Sequence, residues 1–190
     1  MTKKNTGGRP VNAEASVALK AAALRLVRAN GYEKVSIAAI IAEAGVARQT
    51  LYNRCNTKAD LVLEAVFEET NTYAAEPVWD DAKECRVLLE TFLTKIFAHL
   101  NIDGSTLRAL IASAQQDPVF HASFHKDFVL PREKMITALL HRAQERGELA
   151  PDRNVDILTT LIHGAFWYRL LNNEKLDVQF AKDLTSEAFG

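Results

Sequence analysis

Arg48, Gln49, Thr50, Tyr52 and Asn53 fall within six consecutive positions, and Lys58 follows five residues later. Arginine and glutamine can make paired hydrogen bonds to guanine and adenine edges, and asparagine can read adenine. Threonine and tyrosine hydroxyls suit phosphate oxygens, which fix register without reporting sequence. A lysine in the first turn of a helix adds its ammonium to free backbone amides and makes a phosphate site. Recognition of duplex DNA is the chemistry this set offers. Bond-making chemistry has no comparable set: no nucleophile sits with a base in a known motif, and there is no glycine-rich phosphate loop, H-E-x-x-H or Glu-x-x-His pattern. Asp117, His121 and His125 have a spacing that permits a metal, but surface histidines on a helix edge share it. No metal or cofactor is expected, and the role of that histidine pair stays open.

The elements that would hold the DNA-reading set are short helices. Ala15, Ala18, Leu19, Ala22, Ala23, Leu26 and Val27 follow helical spacing, with Asn12 as the expected N-cap and Asn30-Gly31 as the stop. Ser36 can cap a second helix with a buried stripe of Ile37, Ile40, Ile41 and Ala44, which Gly45 ends. A third follows over 47–54. Two short helices joined by a tight turn containing glycine form the helix-turn-helix pattern. Val46 and Leu51 would pack inward, leaving the polar set to face out. Thr57 and Asp60 form a capping box for a fourth helix over 57–73.

Charge follows the same division. The formal net charge is −1, yet residues 1–60 hold ten basic and four acidic side chains, a balance of +6, against −7 for the remainder. A chain that segregates charge this way has parts with different partners. Within the basic part, Lys3, Lys4 and Arg9 lie in an arm, residues 1–11, without apolar content. Such an arm is expected to be disordered, either entering a narrow A·T-rich minor groove or remaining a solvated tail.

The stretch Gly31-Tyr32, then Val35-Ser36-Ile37-Ala38-Ala39-Ile40-Ile41-Ala42-Glu43-Ala44-Gly45-Val46, then Thr50-Leu51-Tyr52, then Thr57-Lys58-Ala59-Asp60-Leu61, resembles the TetR (tetracycline-repressor-like) family of bacterial transcriptional regulators. The resemblance spans about residues 12–65. It implies base-reading positions at Arg48, Gln49 and Asn53, and phosphate contacts at Ser36, Thr50, Tyr52 and Lys58. Two positions depart from the family pattern. Cys55 stands where an aromatic is usual, and is read as a small buried hydrophobe rather than a redox sensor. Ala39 stands where an acidic or polar residue is common, so Ser36 loses a reciprocal cap.

Residues 61–190 read as an acidic, all-helical second part. Asp81 and Glu84 are the expected capping box of a helix carrying Cys85, Leu88, Leu89, Phe92, Ile96, Phe97 and Leu100. Residues 101–105 are expected to turn the chain before a helix with Leu107, Leu110, Ile111 and Ala114. Asp117-Pro118 starts a run with Phe120, Phe124 and Phe128, which Pro131 should stop. A helix over 131–146 ends at Gly147, another spans Val155–Leu171, and a last one begins at Asp177. Phe92, Ile96, Phe97, Ile111, Phe120, Phe124, Phe128 and Trp167, with Trp79, could line an apolar pocket. His99, Gln115, Gln116 and Tyr168 are its candidate polar orienters. The helix over Val155–Leu171 is apolar nearly all round, as a helix shared with a partner would be. Leu149-Ala150-Pro151, Asp152, Arg153 and the 167–171 stretch also resemble the C-terminal domain of one TetR subfamily. By that resemblance helices 132–146 and Val155–Leu171 supply a dimer contact, through Ile136, Leu139, Leu140, Ala143, Leu161, Gly164, Ala165 and Tyr168.

The expectation is an all-α protein: an N-terminal three-helix helix-turn-helix domain over 12–60, then a C-terminal helical ligand-binding and dimerisation domain over 61–190. Its partners would be a double-stranded DNA operator, a small-molecule effector and a second copy of itself, with no membrane. It would be a homodimeric repressor released from a palindromic operator by that effector. The alternative is a helical small-molecule-binding or interaction module without DNA binding. Two cysteines, Cys55 and Cys85, are too few for a disulfide framework and point to the cytoplasm. No stretch approaches the roughly 20 apolar residues of a membrane span.

Overall fold

The computed structural model describes residues 10–53, 55, 57–74 and 80–190, and among these every regular element is helical. Lys3, Lys4, Arg9 and Trp79 lie outside the described residues. The chain divides into two compact units, Met1–Glu68 and Glu69–Gly190.

In the first unit, α1 covers Pro10–Asn30. It begins two residues before the expected cap at Asn12, because proline tolerates the first helical turn, where its missing N–H costs nothing. Gly31 turns the chain out of α1 with φ +85°. A single 3-10 turn, Tyr32–Lys34, leads to α2 (Ile37–Ala44) and α3 (Arg48–Tyr52). The next helix, α4, runs Lys58–Ala74. Leu19, Ala22, Ala23 and Val27 of α1 are buried, as are Ile40 of α2 and Leu51 of α3. Ile37, Ile41, Ala44 and Val46, expected inside, are only half-buried. Ile40 and Leu51 therefore carry the inner faces of these short helices. Arg25 and Glu43 bridge α1 and α2 at 2.7 Å, and Lys20 pairs with Glu68 of α4.

The second unit is built around α5, Cys85–Gln116, a single helix of 32 residues. The expected turn over 101–105 does not form. Its polar side chains are engaged instead: Asn101 Nδ2 donates to the distant Leu176 carbonyl at 2.9 Å, and buried Asp103 lies 3.5 Å from His99 Nε2 one turn earlier in the same helix. Gly104 admits a close neighbour, since a Cβ there would stand 3.0 Å from Leu170 Cδ1. The expected capping box is also replaced. Glu84 is the N-cap without a side-chain bond, Asp81 pairs with Arg142, and the Cys85 N–H donates to Glu148 Oε2 at 2.6 Å.

Asp117 caps α6 (Pro118–Phe124), its Oδ1 accepting the Val119 and Phe120 N–H groups. Pro131 does not stop the run. A π turn over His125–Val129 joins α6 to α7, Leu130–Glu145, with the Leu130 N–H bonded to the His125 carbonyl. Proline has no N–H to give a regular turn, and the wider turn relieves its ring of the clash with the preceding carbonyls. Gly147 ends this run with φ +71°. Asn154 caps α8 (Val155–Leu171) and Asp177 caps α9 (Val178–Phe189). Both capping contacts are short, 3.0 Å to the Ile157 N–H and 2.8 Å to the Phe180 N–H. α5 packs against α6, α7, α8 and α9, and α7 against α8.

Candidate functional site

The turn between α2 and α3 is set by two local devices. Ser36 Oγ accepts the Ala39 N–H at 3.1 Å, so its own hydroxyl proton is left to donate outward. Gly45 adopts φ +65°, a left-handed conformation costly for any residue with a Cβ, and its N–H and that of Val46 close the end of α2. α3 then leaves with Leu51 buried and Arg48, Gln49, Tyr52 and Asn53 exposed; Thr50 is half-buried. The exposed side chains are ordered among themselves. Arg48 Nη2 donates to the Tyr52 hydroxyl at 3.3 Å, and Gln49 Nε2 donates to Asn53 Oδ1 at 2.9 Å.

The start of α4 completes this surface. The Thr57 N–H donates to Asp60 Oδ2 at 3.0 Å while Thr57 Oγ1 accepts the Asp60 N–H at 3.0 Å, the reciprocal cap expected there. Lys58 is half-buried: Nζ lies 3.9 Å over the Tyr32 ring and donates to the Tyr32 carbonyl at 2.8 Å. An ammonium has three donors, so this anchoring fixes its position and leaves capacity for a phosphate. Cys55 is buried, with Sγ 3.9 Å from Glu64 Oε2.

In the second unit seven aromatic side chains form one connected set. Phe97 stacks on Phe180 at 5.5 Å and meets Phe166 edge-on at 6.0 Å. Phe166 lies 6.4 Å from Trp167, which meets Phe124 edge-on at 6.5 Å; Phe124 in turn contacts Phe120 and Phe128. Phe92 and Ile96 are buried, whereas Ile111 and Trp167 are half-buried. Gln115, Gln116 and Tyr168 are exposed, and half-buried His99 sits beside Asp103. Polar groups that do meet the rings are His163, 5.2 Å from Phe166, Arg132, whose guanidinium lies 3.8 Å over Phe128, and Arg169, whose guanidinium lies 3.6 Å over Phe180. Sequence reading placed none of the three there, nor Phe166 and Phe180. On a helix apolar nearly all round, periodicity cannot say which side His163 takes, and the π turn that aims Arg132 leaves no sequence signal beyond Pro131.

Comparison with known proteins decides the family. The family described as "Bacterial regulatory proteins, tetR family" matches residues 19–65, and "Tetracyclin repressor-like, C-terminal domain" matches residues 80–188, more than half of the chain. The chain belongs to the TetR family. It is a DNA-binding transcriptional regulator, not an enzyme. It is 29% identical over 152 residues to the HTH-type transcriptional regulator Rv1556 of Mycobacterium tuberculosis, covering 80% of this chain and 73% of that one. It is 24% identical over 183 residues to the HTH-type regulator YdeS of Bacillus subtilis, covering 96% and 91%. The solved TetR family regulator SCO0332 is similar with a TM-score of 0.72 and 25% identity, over 93% of this chain and 97% of that one. FadR of Bacillus subtilis, solved with stearoyl-CoA, shares the fold with a TM-score of 0.75 at 15% identity, over 92% and 97%.

For a TetR family chain the surface of α8 is the next question, and burial corrects the sequence reading of it. Ile136, Leu139, Leu140 and Ala143 are buried in the chain's own core, so they cannot meet a partner. Leu161 and Tyr168 remain 60% and 63% exposed, with Ile157 and Leu171 on the same stripe. Gly164 is exposed with nothing within 4 Å of a Cβ placed on it, and Ala165 is half-buried. His121 and His125 are both exposed, and Asp117 is occupied as a cap. Among the described residues no three histidine, cysteine or acidic side chains converge on a metal position, and no helix is long and apolar enough to cross a membrane.

Proposed function

We propose that this regulator acts as a cytoplasmic homodimer that binds a palindromic operator and is released from it by a small-molecule effector. The observation that carries the reading is the exposed face of α3, where Arg48, Gln49 and Asn53 stand outward beside the hydroxyl groups of Thr50 and Tyr52. Residues 12–60 form the DNA-reading domain, with Ser36, Thr50, Tyr52 and Lys58 on phosphates, and the arm 1–11 follows the minor groove through Lys3, Lys4 and Arg9. Residues 61–190 hold the effector among Phe120, Phe124, Phe128 and Trp167 and pair with a second copy through Leu161, Gly164, Ala165 and Tyr168.

A dimer supplies two α3 helices, which can enter successive major grooves about 34 Å apart. An effector that binds one spacing of those helices better than the other shifts the population by that difference in affinity. The complex of the similarly folded FadR with stearoyl-CoA supports a small molecule as the effector. A gel shift with the DNA flanking the protein's own gene tests the proposal. Retardation that survives excess unrelated DNA is the expected result. Retardation no stronger than with unrelated DNA would favour a binding module that does not read sequence.

A further inference from the structure

The connection between α1 and α2 is pinned at three points. Tyr32 and Val35 are buried, and Ser36 caps α2 through its Oγ. Its backbone is tied as well: the Lys34 N–H donates to the Gly31 carbonyl and the Val35 N–H to the Tyr32 carbonyl, each at 3.3 Å. Val35 is extended, at φ −90° and ψ 126°, and turns its side chain into the core. Residues on either side of an inward-facing residue in extended chain turn the other way. Lys34 and Ser36 do so, and both are exposed. Two residues of extended chain span about 6.6 Å, so the Lys34 stem starts within easy reach of whatever the Ser36 hydroxyl touches.

Lys58 is fastened to the same turn. Its Nζ donates to the Tyr32 carbonyl at 2.8 Å and lies 3.9 Å over the Tyr32 ring. The start of α4 and the α1–α2 turn are thereby held as one platform, with the Lys58 ammonium fixed to main chain two residues from Lys34. Several other cations of this unit are committed elsewhere: Lys20 to Glu68, Arg25 to Glu43, and Arg48 to the Tyr52 hydroxyl. No carboxylate or hydrogen-bond acceptor among the described residues engages the Lys34 ammonium. It can meet an anion without breaking a contact, whereas Lys20 and Arg25 would each have to give up an ion pair. Glu33, the acid beside it, lies a third of a 3-10 turn away.

We infer that Lys34 is a further phosphate contact of this regulator, placed beside Ser36 so that its ammonium and the serine hydroxyl hold one stretch of DNA backbone from the same side. The contact positions and does not read: it adds charge and fixes where α3 enters the groove, without touching a base. Because the Tyr32 carbonyl joins Lys58 to the same turn, Lys34 and Lys58 present their charges from one rigid support. The inference rests on the DNA-reading face proposed above and adds to it a residue that lies before the helix-turn-helix.

The experiment titrates full-length Lys34→Ala, Lys34→Arg and Lys58→Ala chains against two labelled duplexes, one of fixed mixed sequence and one carrying the DNA that flanks the protein's own gene. Each titration is repeated over a series of potassium chloride concentrations. Lys95→Ala, at an exposed position of α5, is the control for loss of a charge away from the DNA. Lys34→Ala is expected to lower the slope of log K against log salt by about one unit for each chain on the duplex. At 0.1 M salt that is about eightfold weaker binding per chain, on both duplexes alike. Lys34→Arg should keep the full slope, Lys95→Ala should change nothing, and thermal unfolding of Lys34→Ala should match the unaltered chain. A Lys34→Ala slope equal to that of the unaltered chain, or a loss confined to one duplex, would overturn the contact. If Lys58→Ala still lowers its own slope in that case, the DNA-reading face stands without Lys34; if neither substitution moves the slope, both assignments fall together.

Discussion

Gln49 Nε2 donates to Asn53 Oδ1 across 2.9 Å on the exposed face of α3, so on the proposed reading these two amides would meet the duplex as a pair. The bond fixes which way each amide points: Gln49 keeps its oxygen and Asn53 its nitrogen for a base edge, together an acceptor and a donor as adenine demands. Gln49→Ala and Asn53→Ala should each relax base preference. Because the partners orient each other, the double variant should lose less than the two single losses combined, by about 0.5 kcal/mol or more. Titration of the four proteins against one operator and its single-base variants checks this. Strict additivity would mean the amides act separately.

Lys58 should behave differently, because phosphate contacts carry no sequence information. Lys58→Ala is expected to weaken binding to all sequences alike and to lower the salt dependence by about one unit of log K against log salt. Tyr52→Phe should also weaken binding uniformly, but without a change of slope, since it removes no charge. Since Lys58 also holds the Tyr32 carbonyl, the alanine variant should lose about 1 kcal/mol of stability, measured by urea unfolding.

The start of α5 ties a pH dependence to a thiol. Burial pushes the Cys85 thiol up to about 11, helped by the Glu148 carboxylate. Burial alone would raise Glu148 as well, but the Cys85 hydrogen bonds and the Arg146 charge outweigh it and hold the carboxyl below its usual range. A depressed carboxyl adds stability above the unfolded value of about 4.3, and that stability is lost as pH falls through the folded pKa. Glu148→Gln should flatten this part of the acid-side loss in stability and cost about 1 kcal/mol at pH 7, as removal of a helix cap does. Acid titration of thermal unfolding measures both. With Cys55 also buried, neither thiol should react with a disulfide reagent at pH 8 until the protein unfolds.

The exposed stripe of α8 gives a test of assembly. Leu161→Glu and Tyr168→Glu place charge on side chains more than half exposed in the single chain, so the monomer's fold should be unaffected. Dimerisation should weaken by on the order of 2 kcal/mol at a central position. Sedimentation equilibrium would show this, and operator affinity should fall with it. A dimer unchanged by both substitutions would move the interface elsewhere.

Local chemistry made the DNA-reading half legible in the sequence. Ser36, Gly45 and the Thr57–Asp60 pair act within four residues of themselves, and each performs the expected role. The same holds for Asp117 and Asp177 at the starts of their helices. What escaped depends on distant partners. Residues 101–105 have the composition of a turn, yet Leu176 and Leu170 make a helix there the better solution. Cys85 is capped by a residue 63 positions away. For the same reason Ile136 and Leu139 looked available to a partner: periodicity marks an apolar face but not which body covers it. The orphaned nitrogen of His163 was hidden because it is a property of packing.

Selection of bound sequences from a random duplex library tests the central claim most directly, using the full-length protein beside an Arg48→Ala, Gln49→Ala, Asn53→Ala variant. The unaltered chain should enrich a palindrome with half-sites about one helical turn apart, and the variant should enrich none. Enrichment of the same palindrome by both proteins would contradict the assignment of the α3 face, and no enrichment by either would contradict operator recognition itself.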